Sequence, residues 1–213
     1  MDTEFLLRFL RVRKYNVEAA MQTIRNYYYN RSACYSVLGE FLPSAVPPAA
    51  RNLCMTLPGK DRQGRPIFFI NIGAWSPNEV THAVFHLACL LCLEWMKSDP
   101  SAQTLGLVLL LDCHDLAVES VLSLRPGLVK RAFEYLQFKL HGEDFESLHK
   151  HISPEQLPPQ FGGQAEPLDY DAFWSKMDQS EDVFKRENQY GYLKVDTCDF
   201  ATQEEVEQAL EFL

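Results

Sequence analysis

A run of almost continuous apolar residues at 105–111 constrains the fold most strongly. Only Gly106 interrupts it, and Asp112 follows directly. A strand with one face in water alternates apolar and polar residues, whereas a continuous apolar run is typical of a strand covered on both faces. The run is far shorter than the roughly 20 residues that a membrane-spanning helix needs. It therefore predicts a central strand of a buried sheet.

The segments before this run predict how the sheet is built. Residues 53–57 and 67–72 have the composition of strands, on either side of a turn rich in Pro and Gly. Ser76, Pro77 and Glu79 predict the start of a long apolar helix, with serine as N-cap and a capping box. A strand, a long helix and a buried strand begin a βαβ unit, so the sequence predicts an α/β fold.

Two short helices are predicted at the head of the chain. Apolar residues at helical spacing predict a first helix that ends near Val12, and Asn16 is a suitable N-cap for a second. The basic residues of the head predict a solvated face, with binding of an anion or a lipid headgroup as the alternative. These residues are Arg8, Arg11, Arg13 and Lys14. Prolines at 43, 47 and 48 indicate a linker after the head.

The rest of the chain predicts further helices and an acidic tail. Helical spacing is present at 126–136, 143–151 and 170–177, while 153–163 is predicted to be an extended loop. Residues 179–213 are acidic and weakly patterned. The tail lowers the formal net charge of the 213-residue chain to −9, although the first 31 residues carry a net charge of +3.

Charge and cysteine usage narrow the function classes. A net acidic chain without an extended basic stripe argues against nucleic acid as the main partner, while the basic head could contact an anionic membrane. The N-terminus begins without the basic and apolar regions of a signal peptide. The six cysteines lie scattered in apolar segments, which is typical of reduced thiols. The sequence therefore predicts a cytoplasmic protein.

The residues that could carry chemistry do not form a familiar catalytic motif. Cys89 and Cys92 lie inside the apolar helix, where two core residues are the main interpretation and a redox or zinc role the alternative. Cys113 and His114 follow the buried strand, where α/β enzymes place their sites, but no nucleophile elbow, P-loop or dinucleotide fingerprint accompanies them. The histidines at 141, 149 and 151 fit no metal-binding spacing.

Several segments together resemble a known family. The first is Phe5-Leu-Leu-Arg-Phe-Leu-Arg-Val-Arg-Lys-Tyr-Asn-Val17, and the second is Asp61-Arg-Gln-Gly-Arg-Pro66. The others are the strand at 106–112, residues 148–152, Leu157-Pro-Pro-Gln-Phe-Gly-Gly163 and Asp169-Tyr170. In this order they cover most of residues 3–177 and resemble the CRAL-TRIO lipid-binding proteins, most closely the tocopherol and retinaldehyde branch.

The resemblance implies a fold and a function. It implies a helical N-terminal part before an α/β domain whose apolar pocket carries one hydrophobic lipid, without catalytic residues, metal or cofactor. The pocket wall is expected to include Phe85, Cys89, Leu93, Leu107, Leu109 and Leu111. In the tocopherol branch, the residue that matches Arg13 helps to hold a phosphoinositide headgroup, and Arg11 is a weaker candidate for the same role.

The chain also departs from the family pattern. A strand and the gating helix that the family has between the positions of residues 137 and 138 are missing, and the head begins late. The expected division is a truncated helical part at 1–45, a lipid-binding domain with this internal deletion at 46–178 and the tail at 179–213. The alternatives to a lipid carrier are a non-transporting module that contacts a protein or membrane, an inactive shortened form, and an enzyme that uses Asp112, Cys113 and His114.

Overall fold

The computed structural model describes residues 3–38, 40–123 and 139–189, and all statements below concern these residues. The N-terminal elements are α1 (Thr3–Val12), α2 (Val17–Leu38), α3 (Pro48–Arg51), β1 (Cys54–Lys60) and β2 (Pro66–Asn71). The middle elements are α4 (His82–Met96), α5 (Pro100–Leu105), β3 (Val108–Asp112) and α6 (Val118–Ser123). The last helices are α7 (Phe145–His149), α8 (Tyr170–Gln179) and α9 (Glu181–Glu187), and 3-10 turns occur at Pro43–Ala45, Pro154–Gln156 and Pro159–Phe161.

The described strands form one mixed sheet in the order β1-β2-β3. β1 and β2 pair antiparallel, with Cys54 opposite Ile70, while β2 and β3 pair parallel, with Ile70 opposite Leu111. Since α4 lies between β2 and β3 in the chain, it provides the crossover that a parallel pair requires. The predicted α/β fold is confirmed.

A polar turn joins the first two strands. The carboxylate of Asp61 accepts hydrogen bonds from the backbone N–H groups of Gln63 and Arg65 at 3.0 and 2.8 Å. Gly64 has a φ of +79°, a conformation that glycine adopts without steric cost. The turn that the sequence predicted between the two strands is therefore confirmed, and its side-chain hydrogen bonds fix the hairpin.

The start of α4 differs from the prediction. Ser76 was expected to cap this helix, but the hydroxyl of Thr81 does so by accepting a hydrogen bond from the N–H of Val84. Residues 76–80 form a separate turn, which is closed by a hydrogen bond of 2.8 Å from the indole Nε1 of the preceding Trp75 to the carbonyl of Val80. Because this bond and the burial of Trp75 hold the turn in place, the helix begins five residues after the predicted proline start, at His82.

The position of β3 also differs from the prediction. It was expected to be a central strand covered on both faces, yet among the described residues it pairs with β2 alone. All five of its residues are only half-buried. The strand ends at Asp112 as predicted, but in the described part of the chain it forms the outer edge of the sheet.

The core contains two layers on opposite sides of the sheet. α4 covers one face, because Cys92 of this helix contacts Cys54 of β1 with 3.7 Å between their sulfur atoms. On the other face, the rings of Phe69 and Phe161 make an edge contact with centroids 5.8 Å apart. From α8, the indole of Trp174 donates to the backbone carbonyls of Arg51 and Cys54.

Several helices outside the sheet are confirmed where the residues are described, although α2, which was predicted to be short, has 22 residues. α1 ends at Val12, and the side chain of Asn16 caps α2 by accepting from the N–H of Ala19 at 3.0 Å. α7 and α8 correspond to the predicted helices at 143–151 and 170–177. The predicted helix at 126–136 and the junction at 137/138 lie outside the described residues.

The acidic segment after residue 179 begins as part of the folded body. Residues Glu181–Glu187 form α9, and Phe184 on this helix is buried in the core. The tail after residue 189 lies outside the described residues, and the division into three parts stays a prediction. Among the described helices, none has the length and apolar character needed to cross a membrane.

Candidate functional site

The interface between α4 and the sheet brings most of the predicted pocket residues together. Residues opposite each other in a strand pair point to the same face, so Cys54, Ile70 and Leu111 share one face. The contact between Cys54 and Cys92 identifies this face as the one under α4. Leu109 lies two residues before Leu111 in β3 and therefore faces α4 as well.

The three predicted residues of α4 follow one another at one-turn spacing. Phe85 is buried and stacks on Trp75, with 5.1 Å between the ring centroids. Cys89 and Leu93 are half-buried and pack against the main core. One stripe of the helix therefore contacts the core through an aromatic, a thiol and an aliphatic side chain.

The three predicted residues of the third strand are placed less uniformly. Leu109 and Leu111 lie within β3, are half-buried and pack against the core. Leu107 precedes the strand and is 38% exposed. The structure thus brings five of the six predicted residues to the α4–sheet interface and leaves Leu107 outside it. Their role as a ligand wall stays a prediction.

Three thiols line the same interface. Burial raises the pKa of Cys92, and a hydrogen bond with Cys54 together with burial raises the pKa of Cys89 well above its usual range. For Cys54, the hydrogen bond with Cys89 favours the thiolate, but the bond with Cys92 and burial outweigh it and raise the pKa. These cysteines are free thiols, and at neutral pH they behave as apolar wall residues.

Metal binding has no support in the described part of the chain. Within residues 3–38, 40–123 and 139–189, no group of three or more His, Cys, Asp or Glu residues could hold a metal ion. His149 is engaged with the backbone carbonyl of Phe161 at 2.9 Å, and His141 contacts the hydroxyl of Ser147 at 3.0 Å. These histidines therefore serve local loop structure.

The polar residues after β3 satisfy the loop rather than assemble a nucleophile. The carboxylate of Asp112 accepts from the N–H of His114 at 3.0 Å. The side chains of His114 and Asp115 are more than four-fifths exposed and lie 3.4 Å apart. Burial and the charge of Asp112 raise the pKa of Cys113, whereas a catalytic cysteine needs a lowered value. The enzymatic alternative gains no geometric support.

The basic head was predicted to form a single solvated face, but it does not. Arg8 is buried, and its Nη1 lies 2.6 Å from Oε1 of Glu94 on α4. Arg11 is half-buried and donates a hydrogen bond to the side-chain carbonyl of Gln103 on α5. The prediction was wrong for Arg8, because this arginine attaches the head to the domain through a buried ion pair.

Arg13 is the exposed member of the predicted headgroup site. Its Nε donates to the hydroxyl of Thr23 at 2.8 Å, and that hydroxyl donates to the carbonyl of Ala19. This chain of bonds fixes the arginine stem against α2. Lys14, the next residue, is also exposed. The solvated cations at this end of the head are therefore Arg13 and Lys14.

Glu94 was not among the residues predicted from the sequence, although a signal was present. Glu94 is the only Asp, Glu, Lys or Arg within α4, and a lone acid in an apolar helix is buried only with a partner. Burial acts to lower the pKa of Arg8, but the charge of Glu94, with smaller contributions from Tyr27 and Glu187, outweighs it and raises the pKa. Lys97 adds a second contact, 3.2 Å from the other carboxylate oxygen of Glu94.

A polar cleft lies near the first hairpin. It has a volume of about 410 Å³ and is lined by Lys60, Asp61, Arg62, Ser153, Glu155 and Gln156. Its charged groups are engaged locally: the ammonium group of Lys60 lies 2.8 Å from the carboxylate of Asp99, and Arg62 donates to the carbonyl of His149. With such walls, the cleft is unsuited to a hydrophobic ligand.

Comparison with known proteins finds similarity to one family in the middle of the chain. Residues 50–141 match the family model of the CRAL/TRIO domain. A protein from Homo sapiens named alpha-tocopherol transfer protein-like is 27% identical over 225 residues, which covers 88% of this chain and 66% of the relative. Clavesin-1 from Rattus norvegicus is 27% identical over 209 residues, covering 79% of this chain and 59% of that protein. Clavesin-2 from Homo sapiens is 28% identical over 209 residues, with coverages of 79% and 64%.

The chain is shorter than these curated relatives, of whose length it spans between 59% and 66%. The 225 positions compared with the tocopherol transfer protein-like relative also exceed the 213 residues of the whole chain. The relative therefore has residues within the matched region that have no counterpart here.

Proposed function

Since the chain carries a CRAL/TRIO domain, as its motifs predicted, we propose that it binds and transfers a small hydrophobic lipid of the tocopherol or retinoid kind. The match over residues 50–141 is the observation that carries the proposal, because it includes α4 and β3. This domain supports lipid binding in general, and the name of one relative indicates tocopherol transfer for that protein. The ligand class is our extension to this chain.

The α4–sheet interface supports the proposal by its chemistry. Its side chains are aliphatic, aromatic or thiol groups, and the raised pKa values keep the thiols uncharged. Leu109 and Leu111 are only half-buried, so they offer apolar surface that a ligand could cover. Each Å² of such surface removed from water stabilises the complex by about 25 cal/mol. We propose Phe85, Cys89 and Leu93 as the facing wall, and Leu107, which is exposed, as a rim residue.

We further propose that Arg13 contacts a phosphoinositide headgroup at an anionic membrane. Its exposure and its anchored stem support this role, since a held guanidinium can present a planar pair of donors to a phosphate. Arg11 is a weaker candidate, because it is already engaged with Gln103. We propose no nucleic-acid partner, no catalytic activity and no cofactor. The four described free cysteines, Cys54, Cys89, Cys92 and Cys113, support a reducing, cytoplasmic location.

A non-transporting module that contacts a protein or a membrane is the second candidate. Two observations favour it: β3 is half-exposed along its whole length in the described part of the chain, and the relative has additional residues within the matched region. An incompletely covered strand and a shortened domain would weaken retention of a ligand. The fold would then serve as a surface rather than as a container.

Native mass spectrometry of the gently purified chain, with extraction of bound molecules, separates the two functions. We expect one hydrophobic molecule per chain, either as purified or after incubation with tocopherol or retinaldehyde. The variant Cys89→Phe, which fills the interface, should arrive empty, whereas Leu107→Phe at its rim should stay loaded. Circular dichroism melts of both variants report whether they fold. A folded monomer that stays empty with every offered lipid would contradict the carrier function and leave the interaction module.

A further inference from the structure

The tip of the N-terminal helical hairpin exposes a concentrated apolar surface. Val12, Tyr15 and Val17 are 59%, 63% and 65% exposed, and Met21, one turn further along α2, is 46% exposed. We call these four side chains the hairpin tip. Single exposed apolar residues are normal on a protein surface, but a cluster is typical of an interaction site.

The hairpin tip is exposed although the hairpin has an apolar inner side. Phe9, Ala20 and Tyr28 are buried on that side, and Phe9 and Tyr27 form an edge contact with ring centroids 5.5 Å apart. The ion pair between Arg8 and Glu94 fixes the same side to α4. The head is thus attached to the domain through its inner side, while the four side chains of the hairpin tip remain exposed.

The turn that carries the tip is rigid. The N–H of Tyr15 donates to the carbonyl of Leu10 at 2.7 Å, and the N–H of Asn16 donates to the carbonyl of Arg13 at 2.9 Å. Lys14 and Tyr15 have φ values of +50° and +63°, which are unusual for residues other than glycine. Because these bonds hold the backbone of the turn, the exposed aromatic ring projects from a hydrogen-bonded turn.

The charges around the tip select an anionic partner. Residues 11–25 contain four basic residues and one acidic residue, within a chain whose net charge is −9. Of the basic residues, Arg13, Lys14 and Arg25 are exposed, as is the acidic Glu18. Aliphatic side chains and a tyrosine, surrounded by cations, match the boundary between anionic headgroups and acyl chains of a bilayer.

We propose that the hairpin tip inserts into the interface of an anionic bilayer, with Val12, Tyr15 and Val17 among the upper acyl chains and Arg13 and Lys14 at the headgroup phosphates. This inference rests on the proposed function in one respect, because a lipid carrier has to reach a membrane. It adds a surface that the headgroup contact of Arg13 alone does not require: apolar side chains that leave water when the protein binds.

Vesicle sedimentation tests the insertion. The full chain is mixed with vesicles of phosphatidylcholine and phosphatidylserine, or of phosphatidylcholine alone. The variant Val12→Ser/Tyr15→Asn/Val17→Ser removes three of the four apolar side chains of the hairpin tip, and asparagine tolerates the left-handed backbone at position 15. We expect its partition coefficient on the mixed vesicles to fall by at least about tenfold, which is the effect of losing a single fully buried side chain of this size.

Two further variants serve as comparison. The control Val118→Ser/Leu122→Ser removes two exposed apolar side chains of α6, and we expect its partition to equal that of the wild type. Arg13→Ala and Lys14→Ala should each weaken partition on the mixed vesicles about fivefold and have no effect on phosphatidylcholine alone. Wild-type partition by the tip variant, or an equal loss in the α6 control, would overturn the inference and leave a protein partner for the tip.

Bound lipid is measured by native mass spectrometry in the same samples, so that the two proposals fail separately. Loss of partition with retained cargo in the tip variant supports the insertion without touching the carrier function. An empty wild-type chain that still partitions through its tip contradicts the carrier function alone. A second measure is the quenching, by brominated lipids, of the tryptophan in the variant Tyr15→Trp. The native Trp75 and Trp174 are buried and Trp95 is half-buried, so the wild type, which has only these three, serves as the blank. Absence of quenching on vesicles to which the variant binds would overturn the insertion.

Discussion

The buried ion pair between Arg8 and Glu94 leads to a quantitative prediction about stability. The two side chains are 10% and 6% exposed, and 2.6 Å separates Nη1 from Oε1. The guanidinium also lies 4.0 Å from the ring centroid of Phe5. Removing one member of a buried pair costs about 3–5 kcal/mol, because the other charge is left without compensation.

The environment places Arg8→Ala at the lower end of this range. Glu94 keeps Lys97, whose ammonium lies 3.2 Å from Oε2, so its charge is not left entirely uncompensated. We expect the free energy of unfolding to fall by about 3 kcal/mol. Two donor atoms of Arg8, Nε and Nη2, are buried without a hydrogen-bond partner, which costs free energy in the folded state. A variant with apolar residues in place of both Arg8 and Glu94 should therefore fold well.

Urea unfolding followed by tryptophan fluorescence measures these differences. Arg8→Met/Glu94→Leu should lie within about 1.5 kcal/mol of the wild type, since apolar replacement of a buried pair is often neutral. The exposed Arg25 of the same head provides the control, and Arg25→Ala should change stability by no more than about 0.5 kcal/mol. The reasoning is refuted if the double variant is as unstable as Arg8→Ala, or if Arg8→Ala matches the Arg25 control.

Two further predictions concern titration and reactivity. Burial acts to raise the pKa of Asp61, but hydrogen bonds from Arg65 and the turn amides outweigh it and lower the pKa. The ionised carboxylate therefore stabilises the folded state at pH values above the pKa of about 3.9 in the unfolded chain. This stabilisation is lost as the pH falls through the lower pKa of the folded state. Asp61→Asn should flatten the fall in melting temperature below pH 4, and an unchanged slope would contradict the assignment. For the thiols, Cys113 is exposed whereas Cys54 and Cys92 are buried, so iodoacetamide with peptide mapping should label Cys113 before these two; earlier labelling of Cys92 in folded protein would show that the α4–sheet interface opens.

Local signals in the sequence were sufficient for much of the fold. The end of α1 at Val12 and the cap at Asn16 depend on residues within one or two turns, and both were predicted. The apolar run before Asp112 correctly indicated a strand, since its composition excludes a surface loop. Predictions of this kind succeed because the residues that decide the conformation are neighbours in the chain.

The failures involve partners that are distant in sequence. Ser76 has all the features of a helix start, yet Thr81 takes that role because tertiary burial of Trp75 fixes the turn between them. Arg8 was predicted to be solvated, and this failed because its partner Glu94 is 86 residues away and no local pattern indicates the pairing. Neither outcome can be derived from spacing, since each depends on which helix packs against which.

The candidate site was predictable through the resemblance more than through the pattern. Phe85, Cys89 and Leu93 were named as wall residues only because the family motifs implied it, and the structure places them one turn apart on α4. Leu107 is exposed because the strand begins one residue later, at Val108. Sequence patterns do not locate the start of a strand to within one residue.

The contacts of α8 have a consequence for the protein while it is being synthesised. The guanidinium of Arg51 pairs with Asp178, 127 residues later, and Trp174 donates to the carbonyl of Cys54 across 120 residues. At translation rates of roughly 5–20 residues per second, β1 leaves the ribosome about 6–25 s before these partners exist. Once β2 and β3 have also emerged, the nascent chain carries hydrophobic sheet surface that α8 does not yet cover, so its yield in the cell should depend on chaperones that shield it until α8 arrives.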